Sequence, residues 1–574
     1  MKNNYFFLYK SKINILLIKM KSEKLFVRFF TILLVLSSIN EIFNFKCGAD
    51  QLKLKPKELK FDKETNDKIL KKVTAASNTP IKIGMDYSSF RKPSAMTTTD
   101  FNTIRGIIDE TLTEFQKFLR IQHANIDLTG ERETIMEGCD LDTISSSYSR
   151  FLIDNDLIVF PSFSNSLGDN VLAAAGSCLT YTLSTKKIRP VAGILYINPK
   201  LAFDKTNTKE YMKHLLLHEI THILVFSPNL MQSWGMISKR NSISYVTSPK
   251  VLIKARQHFN CASINGMPLE NQGGQGSAGS HWEARYMLGD YMISTDYMDN
   301  VISDISIALF EDSGIYDVEY YSGGLFKFGK NKGCSFLNSK CIANGSPLSE
   351  EFCTRPRQPM CSQSRTAKGF CGIYQYTSTI PSEYQYFSDP SYGGFSPANY
   401  CPITSVSNSD IDYYPSNCKV GNSTLHGDYG EAMGSNSFCF LSSLLPTSSS
   451  QNSTYQSICY RVSCNSSSKQ IIVSIGSSTV NCPTNGGNIT DTNFKGVITC
   501  PKYTDICDAE DNEICNSSFD CLSNAVEADE DSYEYDKSNS DFTRIRTQNS
   551  YSSDKNIQIK YILYLGTLLF LFLN

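Results

Sequence analysis

Apolar residues recur at helical spacing in two stretches of the chain. In the first, Ile104, Ile107, Ile108, Leu112, Phe115 and Leu119 form one stripe, and Thr97-Thr98-Thr99-Asp100 just before it supplies N-cap oxygens. In the second, Tyr211, Met212, Leu215, Leu216 and Ile223 form another stripe behind Thr206-Asn207-Thr208, and Ser227-Pro228 ends it, because a proline disfavours helix for the residue before it. Two short unbroken apolar runs, Leu157 to Pro161 and Val191 to Asn198, read as strands. A glycine-rich loop over 271–280 (NQGGQGSAGS) precedes HWEARYMLGDYM, where Ser280 and Glu283 match a capping box and predict a second short helix. Trp282 reads as core packing. Beyond about residue 320 the text turns to Gly, Ser, Asn, Tyr and Cys with few periodic segments, which predicts a loop-rich region.

The cysteines change that picture. Of nineteen, only Cys47, Cys139, Cys178 and Cys261 precede residue 300. The number and the skew predict a disulfide framework made in an oxidising compartment, concentrated in the C-terminal half. Sequons at Asn344, Asn422, Asn452, Asn465, Asn488 and Asn516 lie in the same half and suit a glycosylated surface. The run Leu25 to Ile39 after Lys21 and Lys24 reads as a secretory signal peptide. The apolar Tyr561 to Leu573, with Ser550, Ser552 and Ser553 upstream, reads as a GPI-attachment signal, the alternative being a short tail anchor. A net charge of −2 offers no field that would call for nucleic acid. Seven segments follow: signal region 1–40, pro-segment 41–78, N-terminal catalytic part 79–225, an insertion with the third-ligand part 226–320, a cysteine-rich part 321–521, an acidic and Ser-rich stalk 522–555, and a hydrophobic tail 556–574.

The chemistry centres on His218-Glu219-Ile220-Thr221-His222. Helix positions i and i+4 share a face, so both imidazoles reach one metal, and Glu219 between them can take a proton from a water there. A catalytic zinc takes three protein ligands. His214 drifts off the shared face of the helix and reads as structural. His258, between Arg256 and Cys261, reads as a surface residue, and His123 and His426 have no ligand-type neighbours at useful spacing. His281, delivered by the glycine loop, is the best placed of the rest.

His218 to His222, then Gly273-Gly274 and Gly276, then Ser280-His281-Trp282-Glu283, then Met292 resemble the leishmanolysin family of metzincin zinc proteases. That family carries a long insertion before its third histidine, and His281 follows His222 by 59 positions. The resemblance implies an α+β metzincin-like catalytic domain followed by a disulfide-rich C-terminal domain. It implies one Zn²⁺ held by His218, His222 and His281, with Glu219 as the base and Met292 in a methionine turn beneath the metal. It also implies that Cys47, in Cys47-Gly48-Ala49-Asp50, is a pro-segment switch whose thiolate occupies the metal until cleavage. Two departures stand out: Val225 where the motif has glycine, and Ala49 where the pro-segment motif has histidine. The expected function is a cell-surface endopeptidase acting on protein and peptide substrates, reached through the secretory pathway and anchored on the extracellular face. Its substrate would lie extended along an edge strand near Val191 to Asn198. The competing expectation is a surface adhesion protein that keeps the fold with weak or no activity.

Overall fold

A computed structural model describes residues 47, 52, 54–61, 79–121, 126–150, 154–167, 171–183, 185–199, 209–272, 278–295, 300–320, 326–406, 416–419 and 429–507. The signal region, most of the pro-segment, the stalk, the tail, His123, His426, the loop glycines 273, 274 and 276, Asn422, Asn516, Cys515 and Cys521 lie outside these residues.

The N-terminal half is built on a mixed five-stranded sheet. Its strands are β1 (Lys57–Leu59), β2 (Ile83–Met85), β3 (Leu157–Phe163), β4 (Ala173–Thr182) and β5 (Ile188–Ile197), in the order β1-β4-β5-β3-β2. Strands β2, β3 and β5 run parallel, β4 is antiparallel to β5, and β1 is parallel to β4. The strand expected at the edge is therefore interior: β5 is bonded to β3 on one side and β4 on the other. Its unbroken apolar text follows from burial on both faces rather than from an edge position.

Helix α1 (Thr98–Phe118) starts where Thr97 Oγ1 accepts from the Asp100 amide at 3.1 Å, and it buries Ile104, Ile107, Ile108, Leu112 and Phe115. It packs against α2 (Lys209–Leu224), whose Leu216, Leu217, Ile220, Ile223 and Leu224 are fully buried in the same core. Helix α2 lies close on the sheet because Gly193 in β5 has no side chain: a Cβ there would meet Ile223 Cγ2 at 2.4 Å. The other face of the sheet is covered by Ile126, Leu128, Ile135 and Ile144, and the Cys139–Cys178 disulfide ties that layer to β4.

After α2 the chain forms α3 (Pro249–Phe259), a single turn α4 (Ala284–Met287), and α5 (Asp304–Ser313), with α3 against α5. The helix expected from a Ser280 cap is shorter and starts later. Glu283 is itself the N-cap of α4, accepting from the Arg285 amide at 3.4 Å. His281 and Trp282 stay outside the helix because Trp282 bridges Leu269 on one side and Ile293 on the other. Trp282 is fully buried, as expected, with its indole N–H on Ser306 Oγ at 2.8 Å. His258 is half-buried rather than a surface group. Its ring stacks on Phe326 at 4.6 Å and its Nε2 donates to the Phe328 carbonyl at 2.8 Å.

The C-terminal half holds more regular structure than its text suggests. Strands β6 (Ser437–Ser442), β7 (Gln456–Asn465), β8 (Gln470–Ile475), β9 (Ser478–Asn481), β10 (Gly487–Ile489) and β11 (Ile498–Cys500) form an antiparallel sheet in the order β9-β8-β7-β6-β11-β10. Eight disulfides join the described cysteines other than Cys47, and six of these lie between Cys341 and Cys507. Asn344, Asn452, Asn465 and Asn488 are all exposed. Among the described residues no helix is long and apolar enough to cross a membrane.

Candidate metal centre

The apolar side of α2 is locked into the core, and that lock aims its remaining side chains. His218 and His222, one turn apart, point the same way, and their Nε2 atoms stand 3.0 Å apart. His281, carried in by the loop before α4, brings its Nε2 to 3.2 Å from that of His218. Cys47 places its Sγ 3.3 Å from His222 Nε2. The four donor atoms all lie within 4.8 Å of one another, every residue is buried, and together they could hold a metal ion.

Each ring is oriented from behind. His218 Nδ1 donates to the Tyr291 carbonyl at 2.6 Å and His222 Nδ1 to the Phe226 carbonyl at 2.8 Å, while His281 Nδ1 lies 3.0 Å from Ser280 Oγ. With the Nδ1 protons committed, the lone pairs of His218 and His222 sit on Nε2, facing the common point. Burial, and then the neighbouring imidazoles, push His218 and His222 down to about 3, so both are neutral at any ordinary pH. Nitrogens about 2.0–2.1 Å from one tetrahedral zinc lie about 3.4 Å apart. The observed Nε2 separations of 3.0 and 3.2 Å fit that demand, and three imidazoles converging in a buried site suit a cation.

Glu219 is fully buried beside the cluster, against the Cys47 thiol and the Ala175 backbone of β4. Burial pushes it up to about 8, with Cys47 and the Ala175 backbone opposing the shift. Such a carboxyl can take up and return a proton near neutral pH.

Met292 is fully buried, and its carbonyl accepts from the Trp282 amide at 2.9 Å, one residue past His281. Its turn is held by a residue that sequence reading passed over. Asp290 Oδ1 accepts from the Met292 amide at 2.7 Å, and Oδ2 accepts from the hydroxyls of Ser303 at 2.5 Å and Ser306 at 2.8 Å. Tyr291 between them supplies the carbonyl for His218, and its hydroxyl shares a 3.0 Å hydrogen bond with Thr221 of α2. The available signal was Asp290 two positions before Met292, the spacing at which an Asp side chain closes a turn on its own backbone. Glu270 and Glu283, both buried, flank the same loop; burial raises Glu270 to about 7, and burial with Glu270 nearby holds Glu283 well above the usual carboxylate range. His214, half-buried on α2, lies outside the cluster.

Val225 occupies the position just past α2 without strain. It is fully buried and is not among the residues with positive φ, and its amide still donates to Thr221 O at 2.9 Å. The chain leaves the helix through the Phe226 carbonyl on His222 and through Pro228, so no glycine is required there.

Three imidazoles and a thiol around one point, with a buried carboxyl beside them, could hold a metal ion. A family model described as Leishmanolysin matches residues 103–513, and the chain belongs to the leishmanolysin family. Among curated relatives, a leishmanolysin homolog of Crithidia fasciculata is 28% identical over 366 residues, 59% of this chain and 53% of that protein. Leishmanolysin of Leishmania donovani is 26% identical over 380 residues, 62% of this chain and 61% of that protein. A leishmanolysin-like peptidase of Drosophila melanogaster is 32% identical over 181 residues, 28% of this chain and 26% of that protein. The chain thus spans between half and two thirds of the length of the leishmanolysins it matches.

Proposed function

We propose that the protein is a zinc-dependent endopeptidase with a metzincin-type site, in which His218, His222 and His281 hold the metal and Glu219 is the general base. The observation that carries this reading is the convergence of three Nε2 atoms with the Glu219 carboxyl beside them. Zinc in such a site acidifies water and polarises a carbonyl. Glu219 takes the proton of the attacking water and passes it to the leaving amine. The Tyr291 and Phe226 carbonyls keep His218 and His222 in the ligating tautomer, and Met292 packs beneath them in a methionine turn set by Asp290. Cys47 occupies the fourth donor position and keeps the chain latent until the pro-segment is removed.

The wider reading follows the same line. Eight disulfides and four exposed sequon asparagines suit a glycosylated protein of the secretory pathway. Residues 1–40 serve as a signal region, 41–78 as the pro-segment, 79–225 and 226–320 as the two parts of the catalytic unit, 321–521 as a cysteine-rich unit and 522–555 as a stalk, with 556–574 directing GPI attachment at the cell surface. Val225, where the motif has glycine, sits in ordinary backbone.

The test is hydrolysis of a denatured protein by the pro-segment-cleaved ectodomain, beside its Glu219→Ala variant, with and without a zinc chelator. Chelator-sensitive cleavage is expected, and the variant should lose about 10²–10⁴-fold in kcat while keeping its metal. No cleavage by either chain, with metal still bound, would make adhesion the better reading.

A further inference from the structure

His218 and His222 are fixed by the core side of α2, whereas His281 is carried by a loop, and its place depends on what closes that loop. The chain before the loop runs antiparallel to the chain after it. The Glu283 amide donates to the Pro268 carbonyl at 3.2 Å, Leu269 bridges Trp282, and the Glu270 amide donates to the His281 carbonyl at 2.8 Å. The Glu270 carbonyl in turn accepts from the Gly279 amide at 2.8 Å. From that point the Glu270 side chain, in a residue only 2% exposed, reaches two further pieces of chain. Its Oε1 accepts from the Gln272 amide at 2.7 Å on the loop, and its Oε2 accepts from the Ser294 hydroxyl at 3.3 Å, two positions past Met292. Glu270 is not one of the four residues whose donor atoms cluster, which are Cys47, His218, His222 and His281. A second tie comes from the C-terminal half. Gln272 Nε2 donates to Asn399 Oδ1 at 2.8 Å, and Asn399, in left-handed backbone at φ 55°, accepts from the Tyr386 hydroxyl through its carbonyl at 3.0 Å.

The geometry points to Glu270 as the positioning residue of the third metal ligand, with Gln272 and Asn399 carrying the same restraint into the C-terminal half. This rests on the protease reading, because it takes His281 as a zinc ligand. Hydrogen bonds in a buried site are costly to leave unmade, so the Glu270 carboxyl braces the loop against the methionine turn. Without it the Gln272 amide and the Ser294 hydroxyl lose that acceptor, and the end of the loop is freed from the turn. A ligand whose supporting contacts are lost drifts from the metal and binds it less well. Helix α2 makes none of these contacts, so the loss should pass through His281. A glutamine at position 270 keeps an acceptor for the Gln272 amide and a polar partner for Ser294.

The test is a cycle of zinc affinities on the full chain, read by competition with a chelating dye. Glu270→Ala should weaken zinc binding about 10–100-fold, and Gln272→Ala, which removes only the tie to Asn399, should weaken it less. Glu270→Gln should recover most of what Glu270→Ala loses. His281→Ala should weaken binding by itself, and in that background neither Glu270→Ala nor Gln272→Ala should cost anything further, because the ligand through which they act is gone. Losses that persist in full in the His281→Ala background would overturn the proposal and leave the ligand assignment standing. So would a Glu270→Ala chain that binds zinc like the parent, or a Glu270→Gln chain as weak as Glu270→Ala. Gln272 is only half-buried, so Gln272→Ala completes the same cycle if Glu270→Ala does not fold. Parental zinc affinity in His281→Ala would overturn the ligand assignment, and with it both the protease reading and this one.

Discussion

Val225 shows how one side chain can replace a family solution with a different one. Glycine suits a turn that needs unusual backbone angles, but this turn uses ordinary ones and buries the valine completely. Val225→Gly should therefore destabilise the protein rather than repair it. Losing a buried valine costs about 1.5–3 kcal/mol, and the added backbone freedom costs about 0.5–1 kcal/mol more. Urea unfolding of the two chains checks this, and a midpoint that rises on substitution would refute it. Asp290 is the converse case, an inconspicuous residue with a large share in the site. It holds the turn from which Tyr291 orients His218, yet nothing in its own text marks it beyond its spacing from Met292.

At the scale of elements, the site depends on how closely α2 lies on the sheet. Gly193 permits that approach, with Ile223 where a side chain would have to go. Gly193→Ala should push the helix outward at a cost of about 1–3 kcal/mol. Because His218 and His222 ride on the same helix, the variant should also release zinc to a chelating dye several-fold faster. A variant that unfolds earlier but holds its metal as before would mean that the helix yields locally and leaves the site intact. Helix α2 and its two imidazoles were legible from periodicity and spacing. The short helix after His281 was misjudged, because Trp282 is claimed by bridges to Leu269 and Ile293, which are distant in sequence. The same limit hid the six-stranded sheet of the C-terminal half. Its short strands alternate with turns, its pairing is non-local, and the disulfides that fasten it have no sequence period.

For the molecule as a whole, pH acts in two opposed directions. His258 is pushed down to about 3, chiefly by burial, and His214 to about 4. The unfolded chain binds those protons first, near the ordinary value of about 6.5. The histidine contribution is therefore fully present above about pH 6.5 and is lost as pH falls toward 3–4. Glu270, raised to about 7, and Asp290, raised to about 6, have the opposite sign, stabilising at low pH and losing that contribution as pH rises through those values. Their sum conceals either one, so a difference measurement is needed. His258→Gln keeps a donor for the Phe328 carbonyl and removes the titration. Its thermal midpoint should fall less than that of the parent between pH 7 and pH 4, and parallel curves would show that His258 plays no part in acid sensitivity.

The sequence by itself determined which side chains were available for metal chemistry and how many cysteines could pair. A helical repeat puts two imidazoles and a carboxylate on one surface whatever surrounds them, and cysteine number, sequons and terminal apolar runs are properties of the text. Only the tertiary structure decided which strand is the edge and what holds each ring. Val191 to Asn198 looked like an edge candidate but lies between two strands, and one edge of the sheet is β1, three residues of a segment that shows no periodicity. Those outcomes depend on contacts between residues far apart in the chain: Leu54 with Gly176, His218 with Tyr291, Asp290 with Ser303 and Ser306. Local pattern records what a residue can do. Closure of the fold determines which distant group it meets.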